Sequence, residues 1–581
     1  MRCKCKNIQP RVRVTITGRV HRANLATLTE RVGFGSFHSE DIEVLVRQVP
    51  MEYSPLPTIL ADISARTDAR VERIISKSAA NDDKSSFWKS ISSDLFHLDR
   101  NAFTFINHGA FGAAMVPLLI EANEWRLYCE RQPLNFFDRT LLPLTAHILR
   151  ETARHLCVPT CELYPLANVT SGLNSVMQSV RMRGLNRLDN IVAMNVTYGS
   201  TKKMLNDLAV TTGAEARLAS IPFTHPSQPV ESFSPSEWTS ILVSALLKHV
   251  DRHTRLVILD QITSNTAMEM PVAEMAAAVK QVAPHAVVCV DAAHALFALP
   301  SPIYATPPSI ETNQDVSSRL PSRCTNVEHV GLAANVDVWL TNAHKWLAAP
   351  KGAAFMWINP EFVRSQGIRP AILSHGYEAG EAASSSASPR SGAVRPFDCH
   401  YAAPHRALSA FAWDGCRDYA ALLTVPSALR TWARIANVAA TASPSSGAEG
   451  GGSDGSVGSV GSPSRATRSD LLEAPRARNV RLAQCAEDLL AQQWGVPASN
   501  FLGHPSQRQP LPMRLVPLPW DGRSVYADKD AFRLQEKLFE RGIEVPVKCI
   551  QNKLYIRISA HVYNEEKDYK RLADSVQTLF S

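Results

Sequence analysis

The feature that most constrains this chain is a recurrence of short apolar, β-branched runs separated by segments of helix length. The runs are Ile191 to Val196, Ala216 to Pro222, Leu256 to Leu259, Ala286 to Val290, Val336 to Leu340 and Ala353 to Ile358. A strand that is apolar on both faces has to be covered on both, and the intervening segments are long enough to cross over the sheet as helices. The pattern predicts an α/β fold, a mainly parallel sheet sandwiched by helices. A smaller α+β unit is expected after it, with a helix at 470–493, a strand at Met513 to Pro517, a helix at 528–541, a strand at Leu554 to Ser559 and a last helix at 565–580.

With 581 residues there is room for more than one domain, and 45% hydrophobic with 20% charged residues is ordinary for a globular chain. Residues 1–95 carry no identifiable chemistry and form an N-terminal extension; 96–400 make the large domain and 401–581 the small one. Three segments read as insertions: 301–330, rich in Pro, Ser and Thr, then 379–396, then the Gly/Ser-dominated 442–469. Such composition cannot bury enough apolar surface to offset chain entropy, so they are expected to be flexible surface loops. The excess of 61 basic over 54 acidic residues, net +7, is not concentrated in runs and gives no support for nucleic-acid binding. No apolar run approaches membrane-spanning length. Eleven cysteines without paired or zinc-ligand spacing argue against a disulfide framework or a metal site and for a reducing compartment, the cytoplasm. The first acidic residue, Glu30, follows seven Arg and Lys residues, so a mitochondrial presequence is the alternative address. Against it, Arg11 to Thr17 alternates with the period of a strand.

The chemistry concentrates in three places. In Val336 to Phe355 a buried strand runs into His344-Lys345, and a lysine there is costly to bury unless paired or deprotonated; desolvation lowers its pKa, as a Schiff-base lysine requires. Upstream, Ala286 to Val290 ends in Asp291 with His294 beyond it. Ligands of open α/β sheets bind outside the carboxyl ends of strands, so Asp291 and Lys345 can face one crevice, where an aspartate can hold a protonated ring nitrogen. Third, Leu166-Ala-Asn-Val-Thr-Ser-Gly-Leu-Asn-Ser175 opens a helix with the small, hydroxyl-bearing residues Thr170, Ser171 and Gly172, able to cradle a phosphate. Tyr198, after another strand, can lie against a bound ring. Taken singly, Lys345 also reads as a snorkelling surface residue, Asp291 and Thr170 or Ser171 as helix N-caps, and Tyr198 as core.

In this order, these motifs resemble the class V aminotransferases among the fold type I pyridoxal-phosphate (PLP) enzymes, and most nearly the branch of isopenicillin N epimerase and cysteine desulfhydrase. Further motifs of that branch are Phe105-Ile-Asn-His-Gly-Ala-Phe-Gly112, Ser374-His-Gly-Tyr377, Trp413-Asp-Gly-Cys-Arg-Asp418 and Tyr555-Ile-Arg-Ile-Ser-Ala-His-Val-Tyr-Asn564. The resemblance covers about residues 100 to 581. It implies PLP as cofactor, with a large domain built on a seven-stranded type of sheet and a smaller C-terminal α+β domain. Lys345 would form the Schiff base and move the α-proton, Asp291 would pair with the pyridine nitrogen, and His294 and Asn265 would lie near the ring hydroxyl. Thr170, Ser171, Gly172, Asn342 and His344 would hold the phosphate, Tyr198 would stack on the ring, and Arg557 with Asn107 would take the substrate carboxylate. A homodimer is implied, with Cys416, in place of the family's threonine, reaching the partner's phosphate.

The reaction expected is loss of a β-sulfur group from an amino acid, that is, a C–S lyase of cysteine desulfhydrase or sulfoxide-lyase type acting through an α-carbanion. Epimerisation and transamination share the same site and remain alternatives. A persulfide-forming desulfurase would need a cysteine on a mobile small-residue loop; Cys399, Cys485 and Cys549 are available and none sits in one. The rival from another class is a non-catalytic scaffold that kept the fold, against which stand the intact Lys345, Asp291 and Arg557.

Overall fold

A computed structural model describes residues 41–47, 56–79, 84–223, 229–300, 303, 331–378, 406–441, 473–508, 511–520 and 525–580. The expected inserted loops, apart from residue 303, and the basic N-terminal stretch lie outside these residues, as does Cys399. The strands are β1 (Thr104–Phe105), β2 (Leu163–Leu166), β3 (Asn190–Met194), β4 (Glu215–Ala219), β5 (Thr254–Asp260), β6 (Val287–Asp291), β7 (Val338–Asn342), β8 (Ala354–Ile358), β9 (Met513–Pro517), β10 (Ile543–Glu544), β11 (Val547–Ile550) and β12 (Lys553–Ser559).

The six apolar runs become six strands of a seven-stranded sheet ordered β2-β8-β7-β6-β5-β3-β4. From β7 to β4 all pairings are parallel, and β8 pairs antiparallel with both β7 and β2. Strands β6, β7 and β8 are buried at every position, because helices such as Val169–Met182 and Val272–Val282 cover the sheet. Strand β2 was not expected: it has only four residues and contains Pro165, which an edge strand tolerates because one side of its ladder is unpaired.

The small domain packs the antiparallel sheet β11-β12-β9 against the helices Glu473–Trp494 and Glu566–Phe580. Its sheet has two different faces. Val547, Leu554, Ile556 and Ile558 join the small-domain core, whereas Met513, Leu515 and Tyr555 belong to the core of the large domain.

The large core continues past residue 401 to Ile435, and the small core collects from Ala483 onward. The N-terminal side contributes as well: Thr104–Phe105 pairs in parallel with Ile543–Glu544, and Ile106 enters the small-domain core. Two helices of the extension, Leu56–Ala79 and Lys84–Leu95, bury Ile63, Val71, Ile75, Ile91 and Leu95 in the large core. Their apolar positions recur at helical spacing, which is what lets them dock.

Candidate active site

The carboxyl ends of β5, β6 and β7 bring Asp260, Asp291 and Asn342 to one edge of the sheet, the side on which open α/β sheets place their crevice. From β7 the chain passes through Ala343 and His344 to Lys345. The turn that follows is tightly tied: the Ala348 amide donates to the Lys345 carbonyl (2.9 Å) and the Ala349 amide to that of Ala343 (3.2 Å). Ala348 adopts a left-handed φ of 58°, a strained choice for alanine that this turn imposes.

The Lys345 Nζ lies 2.9 Å from His294 Nε2. Burial lowers the ammonium to about 8; Asp291 opposes that drop and Arg557 adds to it. Burial also holds His294 well below its usual range, helped by the charges of Lys345 and Arg557, so its imidazole is neutral. A neutral ring that accepts from the ammonium at Nε2 carries its proton at Nδ1. This Nδ1, the Nδ1 of His344 and the Nε of Arg557 are buried without a hydrogen-bond partner among the described residues. Three buried nitrogens without a partner among the described residues are suited to a bound polar group.

Burial raises Asp291, while the Ala293 amide (3.0 Å) and the Lys345 ammonium favour its ionised form. Asp260, directly beside it in register, is raised by burial and by the Asp291 charge. It accepts the Thr197 hydroxyl at 2.5 Å and the Tyr198 amide, which ties the loop carrying Tyr198 to the sheet. The sequence reading missed Asp260, whose position at the end of the apolar run Leu256 to Leu259 parallels that of Asp291.

Arg557 on β12 is 4% exposed. Its guanidinium donates to the Ser264 carbonyl and, at 3.0 Å, to Asn107 Oδ1, and Asn107 in turn donates to Glu544 (3.3 Å). Among the described residues no carboxylate pairs with it, so it is not part of a surface ion pair, and its charge is felt by both Lys345 and His294. Tyr198 is 47% exposed and therefore not a core aromatic.

At the start of Val169–Met182 the N-cap is Asn168, not Thr170 or Ser171. Asn168 Oδ1 accepts from the Ser171 amide (2.9 Å), and the Ser171 hydroxyl donates to the Asn168 carbonyl (2.7 Å). Asn342 Oδ1 accepts from the Val169 amide at 3.2 Å, fastening the helix start to β7. Exposed Thr170 is thus the open group of this helix mouth. Gly172 faces inward, where a Cβ would meet Leu340 at 2.1 Å and Leu166 at 2.6 Å, so it permits close helix–sheet packing. Asn265 is half-buried near this edge, and exposed Cys416 lies on a loop held by Asp414, Arg417 and Tyr419, apart from the lysine cluster.

A second group missed at first stands behind the lysine. His108 Nε2 lies 2.9 Å from the Lys345 carbonyl, and its Nδ1 lies 2.7 Å from the Tyr563 hydroxyl. A carbonyl can only accept, so Nε2 bears the proton and Nδ1 accepts from Tyr563. Burial keeps His108 neutral, at about 3, and it stacks on His561 with ring centroids 3.9 Å apart. Both residues were visible inside sequence motifs, but nothing local told that they meet. No group of His, Cys, Asp and Glu among the described residues is placed to hold a metal ion.

This α/β architecture is that of the fold type I enzymes that use pyridoxal phosphate. In sequence, an L-cysteine desulfhydrase of Arabidopsis thaliana is 24% identical over 503 residues, covering 82% of this chain and 87% of that protein. The isopenicillin N epimerase of Streptomyces clavuligerus is 24% identical over 475 residues, or 82% and 94% of the two chains. In structure, the cystine C–S lyase C-DES in complex with its product cysteine persulfide matches with a TM-score of 0.53 at 15% identity, over 82% of this chain and 97% of that one. A second C-DES structure, with glycine covalently linked to its PLP cofactor, matches with a TM-score of 0.51 at 16% identity over 82% and 99%. No family model matches the chain.

Proposed function

We propose that this protein is a PLP-dependent C–S lyase that releases sulfide from L-cysteine or the corresponding thiol from a cysteine conjugate. The observation that carries the reading is the buried Lys345, lowered to about 8, set against neutral His294 between the carboxylate of Asp291 and the guanidinium of Arg557. The kinship with cysteine desulfhydrases supports it.

When bound, PLP supplies an electron sink for the α-carbon of an amino acid. The protein's part is to hold and move protons around it. Lys345 is the covalent anchor and the base: its neutral amine takes the proton from the substrate α-carbon, and a pKa near neutrality makes that form available. Asp291 would stay ionised to pair with a protonated ring nitrogen, and Asp260 beside it fixes the loop of Tyr198, which would lie against the ring. His294 would offer its Nδ1–H, and Asn265 its amide, to the ring oxygen. Thr170, Ser171, Gly172, Asn342 and His344 surround the phosphate position. Arg557, oriented by Asn107, takes the α-carboxylate. For cysteine the balance is one water consumed, with sulfide, ammonia and pyruvate released.

The active form is a homodimer, in which Cys416 of each chain completes the other's phosphate site. Exposed Phe111, Leu119, Ile120, Leu127 and Leu134 supply an apolar surface for the contact. The protein works in the cytoplasm, consistent with seven described cysteines that are all free thiols.

The deciding experiment records visible absorption of wild type and Lys345→Ala with and without L-cysteine while trapping sulfide and pyruvate. A cofactor band in the wild type alone, with both products formed, is expected. A band that shifts with no product would replace the lyase by an epimerase or aminotransferase, and no band after reconstitution would overturn the enzyme reading.

A further inference from the structure

The hairpin β11–β12 carries a second cation toward the site. Lys548 stands in register with Tyr555, two residues before Arg557. With side chains alternating at period two, Lys548, Tyr555 and Arg557 share one face of the small sheet. That face looks at the large domain, since Tyr555 and Leu515, the cross-strand partner of Arg557, are part of the large core and Arg557 reaches the Ser264 carbonyl. The opposite face is the one that fills the small-domain core.

Lys548 is half-buried, and among the described residues it has no hydrogen bond and no ion pair. Burial lowers its pKa, Arg557 lowers it further, and Asp528 alone opposes. Two like charges on one partly desolvated wall, with no carboxylate hydrogen-bonded to either among the described residues, repel each other. Nothing in the packing requires a lysine there; an apolar side chain would suit its neighbours Tyr555 and Ile550 better. A bound anion turns the same arrangement from a cost into an attraction. Arg557 has one substrate group assigned to it already, the α-carboxylate, so the second cation needs a second anionic group.

We propose that Lys548 is a specificity residue that binds an acidic group on the β-substituent of the substrate, so that the preferred substrates are S-substituted cysteines bearing a carboxylate or sulfonate. This rests on the assignment of Arg557 as the α-carboxylate site. It adds no step to the reaction: the acidic group leaves with the sulfur.

The test is equilibrium binding of non-reacting acids to the full-length holoenzyme, with succinate, glutarate and adipate compared with butyrate. Wild type is expected to bind its best dicarboxylate about tenfold more tightly than butyrate, the value of one partly buried charge pair. Lys548→Ala should bring that ratio close to one, and Lys548→Arg should restore most of it. Equal binding of mono- and dicarboxylates by wild type, or a ratio that survives in Lys548→Ala, overturns the proposal. In turnover, the kcat/KM ratio of S-carboxymethyl-L-cysteine to S-methyl-L-cysteine should fall by a similar factor in Lys548→Ala. If wild type releases product from neither conjugate nor L-cysteine, the lyase reading fails while the binding ratios still decide the role of Lys548.

Discussion

At the scale of single residues, protonation decides when Lys345 can react. Only the neutral amine attacks a carbonyl, and burial brings its pKa from the usual 10.5 to about 8. Capture of PLP by the cofactor-free protein should therefore rise with pH and level off just above 8, where an ordinary lysine would still be climbing. Stopped-flow absorbance across pH 6 to 10 checks this, and a rate still rising at pH 10 would show that the lysine is not desolvated. Arg557 makes a different prediction. Its planar fork spans two oxygens, which an ammonium cannot do, so Arg557→Lys should raise KM for cysteine about tenfold or more with a smaller change in kcat. Lys345 was legible in the sequence because a charge at the end of a buried run is costly unless it has work to do, whereas Arg557, inside β12, was read only from the resemblance of the motif around it. Asp260 and His108 were not legible, since what each does depends on Thr197 and Asp291, or on Lys345 and Tyr563, brought close only by the fold.

At the scale of elements, the lysine turn is gripped from the N-terminal side. Gly112 ends the short helix His108–Phe111 with φ 68° and ψ 161°, and a Cβ on it would stand 2.0 Å from the His344 carbonyl oxygen. That backbone region is nearly confined to glycine. Gly112→Ala should cost about 1–3 kcal/mol from the backbone alone and must also push the His344–Lys345 segment aside. Gly184→Ala is the control: its φ is 82° but no atom lies within 4 Å of its Cβ, so it carries strain without the push. Denaturant titration should register both variants, while weaker PLP retention should appear only in Gly112→Ala; equal retention in the two would mean that Gly112 does not position the lysine. Strands β3 and β5 to β8 were readable as apolar runs because a doubly covered strand must be apolar nearly throughout, whereas β4, at the sheet edge, is mostly exposed and carries Glu215 and Arg217. β1 and β10, two residues each, were not, because their pairing joins segments more than four hundred residues apart and leaves no local period.

At the scale of the whole molecule, apolar surface exposed among the described residues collects where Cys416 also lies. Leu119, Ile120 and Leu127 are exposed on the helix Val116–Arg131, with Phe111 before it and Leu134 just after. The Cys416 loop is tied to the same helix by the ion pair of Arg126 with Asp418 at 2.8 Å. Leu127→Asp with Leu134→Asp places two charges in that surface, far from the buried core, so folding should survive while association fails. Wild type should sediment at twice the 63.8 kDa chain mass and the double variant at that mass. If Cys416 completes the partner's phosphate site, the monomer must also hold PLP more weakly, with a loss growing as the wild type is diluted below its own dissociation constant. A monomeric variant that keeps full PLP affinity would leave dimerisation standing but remove Cys416 from the site; a variant that stays dimeric would move the interface elsewhere.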